Sequence, residues 1–216
     1  MAKTDRTGNR KRRESFTKRK PDMGYYSIIT DTEETEKNYI YGFRDSFPEA
    51  VQKRLVIKVL ETKTNELIKQ SLDQALLEIP YSRVWIVFDR DRVVGFDDII
   101  AEAERNGISV AWSNPCIEIW FDAYFGKMPA YQDSVACCKG FANTFETKTG
   151  QKYKKSDRQI YNKLKRYGDE DTAIRIAEEK LQGYKRDGVE KPSEMCPCTT
   201  VQKLILEIRQ KIAQCT

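Results

Sequence analysis

The sequence predicts an α/β fold: a parallel sheet flanked by helices, with a helical C-terminal half. Three observations lead there. Short apolar runs alternate with segments of helical period from residue 24 to residue 125. The connections between them are short, which in an alternating β-α order favours a parallel sheet. The strand-like runs are nearly continuous in apolar residues, as expected for strands covered on both faces.

The elements follow in order. "GYYSIIT" (24–30) is a short β-rich run and reads as a buried first strand. "DTEETEKNYIYGFRDSF" places Tyr39, Ile40, Phe43 and Phe47 at helical spacing, with acidic residues in the first turn, where the helix dipole favours them. "RLVIKVLE" (54–61) reads as a second strand. "KTNELIKQSLDQALLEI" (63–79) sets Leu67, Ile68, Leu72, Ala75, Leu76 and Ile79 on one helical face. "RVWIVF" (83–88) is a third strand, "FDDIIAEAERNG" (96–107) a helix stopped by Gly107, and "ISVAW" (108–112) a fourth strand. "NPCIEIWFDAYF" (114–125) reads as a helix opened by Asn114 and Pro115. Helical patterns then recur at 156–167, 170–182 and 199–213. The expected division is a disordered basic tail over 1–22, an α/β domain over 23–126, and a helical region over 127–216 packed on it.

Composition narrows the chemistry. A 39% hydrophobic fraction in 216 residues is enough for a substantial core. No apolar run approaches the ~20 residues of a membrane span. Nothing near Met1 pairs a basic stretch with an apolar run, so no secretory signal is expected and the cytoplasm is the expected location. The six cysteines include no CxxC spacing and read as reduced thiols rather than a zinc site. Histidine is absent, which excludes Ser-His-Asp and Cys-His catalysis. Neither GxxxxGK[ST] nor GxGxxG occurs, so the phosphate-cradling glycines of P-loop and dinucleotide-binding proteins are missing. The net charge of +5 is concentrated at one end, with nine Lys/Arg against Asp5 and Glu14 in residues 1–20. Arg10, Lys11, Arg12, Arg13, Lys18, Arg19 and Lys20 therefore read as an arm following a phosphate backbone, or as a solubilising tail.

The stretch "VWIVFDRDRVVGFDDI" (84–99) carries the functional signal. A buried strand ends abruptly in Asp89-Arg90-Asp91, and the first strand ends at Thr30-Asp31. Parallel sheets collect function at the carboxyl ends of their strands, so Asp31, Asp89 and Asp91 are expected on one rim, with Glu36 within reach from the following helix. Crowded carboxylates repel unless a cation neutralises them, and hard oxygen ligands select Mg²⁺ or Mn²⁺. The expectation is a divalent-metal phosphoryl-transfer site. Each residue also has a plainer reading: an Asp after a strand caps helices or makes turns, and first-turn Glu33, Glu34 and Glu36 serve the helix dipole.

"YYSIITDTEETEKNY", "VWIVFDRD", "SNPCIEIWF" and "CPCTTVQKL", in that order, resemble the RloB family, bacterial proteins encoded beside restriction and phage-defence genes. The resemblance spans roughly Tyr25 to Leu204 and implies a Toprim-like domain, the metal-binding fold of topoisomerases, primases and related nucleases. It implies Asp89 and Asp91 as the acidic pair, Asp31 at a position where the family has Glu, Thr32 where it has Gly, and a retained Thr35-Glu36. It also implies Asn114 and Glu118 in the second shell, Lys155 as a phosphate contact, and Tyr124 where the family has a histidine. Asp31 is one methylene shorter than Glu, and Thr32 lacks the conformational range of Gly.

Three functions compete at this level. The first is a Mg²⁺- or Mn²⁺-dependent Toprim-like endonuclease acting on DNA or RNA in phage defence, beside an ATPase partner. The second is a catalytically degenerate Toprim module that binds nucleic acid or that ATPase. The third is a haloacid-dehalogenase-type phosphatase with Asp89 as nucleophile, although that motif normally lies on the first strand of its domain.

Overall fold

The computed structural model of the chain describes residues 23–31, 34–77, 82–91 and 93–215. Along the chain run β1 (Gly24–Thr30), α1 (Thr35–Asp45), α2 (Glu49–Gln52), β2 (Leu55–Glu61), α3 (Leu67–Ala75), β3 (Ser82–Asp89), α4 (Phe96–Arg105), β4 (Ser109–Asn114) and α5 (Glu118–Ala123). The second half adds α6 (Ser134–Thr149), α7 (Ile160–Tyr167), α8 (Glu170–Arg186), β5 (Cys198–Thr199) and α9 (Val201–Cys215). The strands form one five-stranded sheet in the order β2-β1-β3-β4-β5. The first four are parallel and β5 is antiparallel to β4.

Period-2 alternation sorts the strand residues onto two covered faces. Tyr26, Ile28, Ile57, Trp85, Val87 and Ala111 join a core with Tyr39, Trp120, Phe121, Phe141, Leu164 and Leu204. Ile29, Ile86, Phe88, Val110 and Trp112 face the other way, against Leu67, Phe96 and Ile100. Helix α1 thus covers one face while α3 and α4 cover the other. The chain leaves β1 in one direction to reach β2 and returns past it to β3. The carboxyl ends of β1 and β3 therefore flank the point where the winding reverses, and a crevice opens there in sheets of this order.

Several boundaries differ from the sequence expectation. Helix α3 ends at Ala75, so Leu76 is 77% exposed instead of continuing the buried face; apolar period alone does not say which turns meet the sheet. Asn114 and Pro115 do not open α5. Asn114 is the last residue of β4, held there by pairing with Cys198, and α5 begins at Glu118. Helix α6 goes unseen in the sequence because "SVACCKGFANTFETKT" buries only Cys137, Phe141, Thr144 and Phe145. Its ends are nonetheless well signalled: Asp133 accepts a hydrogen bond from the Ala136 N–H at 2.7 Å, and Gly150 closes the helix at φ 70°. The basic tail, Thr32, Glu33 and Ile79 lie outside the described residues.

Gly42 marks a close approach of α1 to α7, because a Cβ there would sit 2.5 Å from Tyr161 Cβ. Gly42→Ala should lower thermal stability by ~1–3 kcal/mol of overpacking, outweighing the ~1 kcal/mol gained in helix propensity. Thermal unfolding followed by circular dichroism decides it: an unchanged or raised midpoint would show that the α1–α7 contact relaxes freely.

Candidate functional site

The register of β1 against β3 pairs Thr30 with Val87, so one further step sets Asp31 beside Phe88, next to Asp89. With strands ~4.8 Å apart and ~3.3 Å of rise per residue, the two backbones lie ~6 Å from each other. Both side chains line one cleft of ≈ 960 Å³, together with Glu36, Asp91, Glu118 and Lys155. Asp89 continues the Trp85–Val87 alternation and so belongs to the sheet face covered by α1 and α5. Those helices contribute Glu36 and Glu118, each in a first turn and each only 1% exposed.

Hydrogen bonds fix the cluster. Asp89 Oδ2 accepts from the Ile117 backbone N–H at 3.0 Å, so the loop after β4 folds over the end of β3. Asp31 Oδ2 accepts from the Thr64 hydroxyl at 3.2 Å, while its Oδ1 is buried with no partner among the described residues. Asp91 has φ 22°, uncommon outside glycine. Its N–H donates to Pro115 O at 3.0 Å, and its Oδ1 accepts from the Ser134 hydroxyl. Glu118 Oε1 accepts from the Tyr153 hydroxyl at 2.9 Å and lies 3.7 Å from Lys155 Nζ.

Burial and mutual repulsion make Asp31, Glu36 and Asp89 weak acids. Desolvation, partly offset by the Thr64 hydrogen bond, raises Asp31 to about 6. Desolvation, together with the charges of Asp31 and Glu118, raises Glu36 to about 7, although it shares a hydrogen bond with Asp89. Asp89 is pushed well above the carboxylate range by burial, then by Glu36, Glu118 and Asp31. Near neutral pH the cluster therefore retains protons that a bound dication would displace. On Lys155, burial opposes the charge, but the Glu118 carboxylate prevails and raises its pKa.

Most of the residues singled out from the sequence converge here: Asp31, Glu36, Asp89, Asp91, Glu118 and Lys155 line the same cleft, and Glu34 stands at its edge. Asn114 does not join them. Its Nδ2 donates to Pro192 O and Ser193 O at 3.2 and 3.1 Å, pinning the loop before β5. Tyr124 is likewise elsewhere, buried with its hydroxyl between Tyr39 and Glu170 at 2.8 and 2.7 Å. Arg10, Lys11, Arg12, Arg13, Lys18, Arg19 and Lys20 lie outside the described residues. Sequence reasoning missed Thr64, Ser134 and Tyr153, which hold carboxylates of the cluster in place. It also missed Cys116 and Cys138, whose thiols reach the cleft from different elements; no local spacing signals any of these five. Among the described residues no helix is long and apolar enough to cross a membrane.

A family model described as RloB-like protein matches residues 26–208. Searches of curated proteins and of solved structures each find no match.

Proposed function

The chain belongs to the RloB-like protein family, and from that membership and the carboxylate cleft we propose that it is a Toprim-type, divalent-cation-dependent endonuclease acting on DNA or RNA in bacterial phage defence. The observation that carries this reading is the convergence of Asp31, Glu36, Asp89 and Asp91 at the β1/β3 crevice. These residues fit a hard dication. All the donors are carboxylate oxygens, Asp31 Oδ1 is buried without a partner among the described residues, and three of the groups are made weak acids by burial and by one another's charge. Asp31, Glu36, Asp89 and Asp91 would hold Mg²⁺ or Mn²⁺, which when bound supplies Lewis acidity at a phosphodiester and eases deprotonation of water.

The chain's own groups do the rest. Glu36 serves either as a ligand completing the ion's shell or as a proton relay outside it, and its pKa of about 7 in the metal-free protein suits the second role. Lys155 presents an ammonium at the cleft for a phosphate oxygen, positioned through Glu118. Exposed Lys152, Lys154 and Arg158 extend that positive edge along the connection before α7, giving a polyanion a place to dock beside an acidic cleft. The basic arm would add further phosphate contacts. The proposed setting is the cytoplasm, with an ATPase encoded nearby as partner.

Cleavage of plasmid, single-stranded DNA and tRNA with Mg²⁺ or Mn²⁺ tests this reading. Equal cleavage by an Asp89→Ala/Asp91→Ala double variant would overturn it. Tight binding without cleavage of any substrate would favour instead a degenerate module that binds nucleic acid or the ATPase, the reading suggested by Asp31-Thr32 replacing Glu-Gly. Reversing Lys152, Lys154 and Arg158 to Glu should weaken nucleic-acid binding and make the salt dependence of log K shallower by about 2–3. An unchanged slope would mean that this edge does not touch phosphates.

A further inference from the structure

One end of the cleft is not built of hard oxygen donors. Cys116 lies in the buried loop between β4 and α5, Glu118 opens α5, and Cys138 comes from α6. Their sulfur atoms and a carboxylate oxygen all lie within 4.8 Å of one another. We propose that Cys116, Cys138 and Glu118 form a binding site for a thiophilic divalent cation of the zinc class, with its remaining position open to the cleft.

Three observations support a metal here. The Cys116 and Cys138 sulfurs are 3.9 Å apart. Two thiolates ~2.3 Å from a tetrahedral zinc are separated by ~3.8 Å, so the ion fits without moving either side chain. A disulfide would require them to close to about 2.05 Å, pulling a buried loop toward a helix. Second, the Glu118 side chain is 1% exposed, and its Oε2 has no hydrogen-bond partner among the described residues, whereas Oε1 is held by Tyr153 and Lys155. One oxygen is thus oriented by neighbours and the other left for a ligand, the outer-shell arrangement typical of metal-binding carboxylates. Third, a dication with two thiolates and one carboxylate keeps one negative charge, which the adjacent Lys155 ammonium offsets.

The thiols are protonated in the metal-free protein. Cys138 is raised by its hydrogen bond with Cys116 and by burial, and Cys116 by its hydrogen bond with Cys137 and by burial. Binding therefore releases protons, and affinity for the ion rises with pH. Three protein ligands and an open position are the geometry of catalytic rather than structural zinc sites. Its ligands are other than Asp31, Asp89 and Asp91, although both sets line one cleft, and its existence does not rest on the nuclease reading.

The experiment is an anaerobic titration of the full-length, chelator-treated chain with Co²⁺, followed by displacement with Zn²⁺. The expected result is one Co²⁺ with a thiolate-to-cobalt charge-transfer band and intense tetrahedral d–d bands, both erased by one equivalent of Zn²⁺. Cys116→Ser/Cys138→Ser should abolish the band and weaken zinc binding by on the order of 100-fold or more. Asp89→Asn/Asp91→Asn should retain the band, which separates this site from the carboxylate cluster. A weak, octahedral-type spectrum from the unmodified chain would overturn the proposal whatever the variants do. So would binding that survives the cysteine substitutions but is lost with Asp89 and Asp91, or quantitative Cys116–Cys138 disulfide formation that zinc fails to prevent.

Discussion

Asp89→Asn should abolish metal-dependent cleavage, by on the order of 10³-fold or more, while making the metal-free protein more stable. The first effect follows from the position of Asp89 at the centre of the cluster, between Glu36, Glu118 and Asp31. Removing its charge takes a hard ligand from the ion that the chemistry needs. The second follows from the same crowding without the ion. Burial beside other carboxyls forces Asp89 to take up a proton on folding, a cost that grows above pH ~4 and that an amide of equal shape does not carry. The Ile117 N–H can still donate to the amide oxygen, so the loop after β4 keeps its anchor. Cleavage rates and thermal midpoints measured on one preparation decide the matter. A variant that loses activity and also unfolds at lower temperature would make Asp89 a structural residue, and one that keeps its activity would remove it from the site.

The metal-free protein should lose stability as pH rises from about 5 to 8, the reverse of ordinary acid sensitivity, and Mg²⁺ or Mn²⁺ should restore it. Asp31 and Glu36 titrate at about 6 and about 7 in the folded chain, and Asp89 is pushed well above the usual carboxylate range, chiefly because they are buried. In the unfolded chain each titrates near 4. Between those values the folded state holds more protons than the unfolded one, so stability falls with increasing pH. The stability is fully present below the unfolded pKa and declines until the folded pKa has been passed. The loss should be on the order of a few kcal/mol. A bound dication replaces the protons, so the thermal shift on adding Mn²⁺ should be larger at pH 8 than at pH 5. Stability that rises steadily with pH, or a metal-induced shift of equal size at both, would show that the three carboxyls do not share one environment.

Much of this site is legible in the sequence because a buried strand announces its own end. Ile28-Ile29-Thr30-Asp31 and Val87-Phe88-Asp89 each pass from apolar residues to a carboxylate in a single step, and in a parallel sheet such steps fall on one rim. What the sequence does not carry is adjacency. That β3 lies beside β1, and not beyond β2, is decided by tertiary packing, and it is this that turns two strand ends into one site. Glu36 could be placed in a first turn, but periodicity alone does not say that the turn faces inward. The six cysteines are free thiols, as their spacing suggested, but the approach of Cys116 to Cys138 is hidden for a related reason. Ligand spacing is recognisable when both members of a pair share a local loop, whereas Cys116 and Cys138 meet only because α6 packs against α5. Helix α6 itself was hidden by small and polar residues where an amphipathic stripe would stand. The motif identifies Asn114 but not the direction of its side chain, which donates to Pro192 O and Ser193 O in the loop before β5.

The central claim is that carboxylates from β1, α1 and β3 share one divalent cation. A crystal of the full-length chain soaked in Mn²⁺ and recorded at an anomalous-scattering wavelength tests it most directly. The expected result is a peak in the β1/β3 crevice, ~2.1–2.3 Å from oxygens of at least two among Asp31, Glu36, Asp89 and Asp91, and lost in Asp89→Asn. Millimolar Mn²⁺ leaving that crevice without a peak, while the carboxylates keep their protons and their hydrogen bonds, would contradict it.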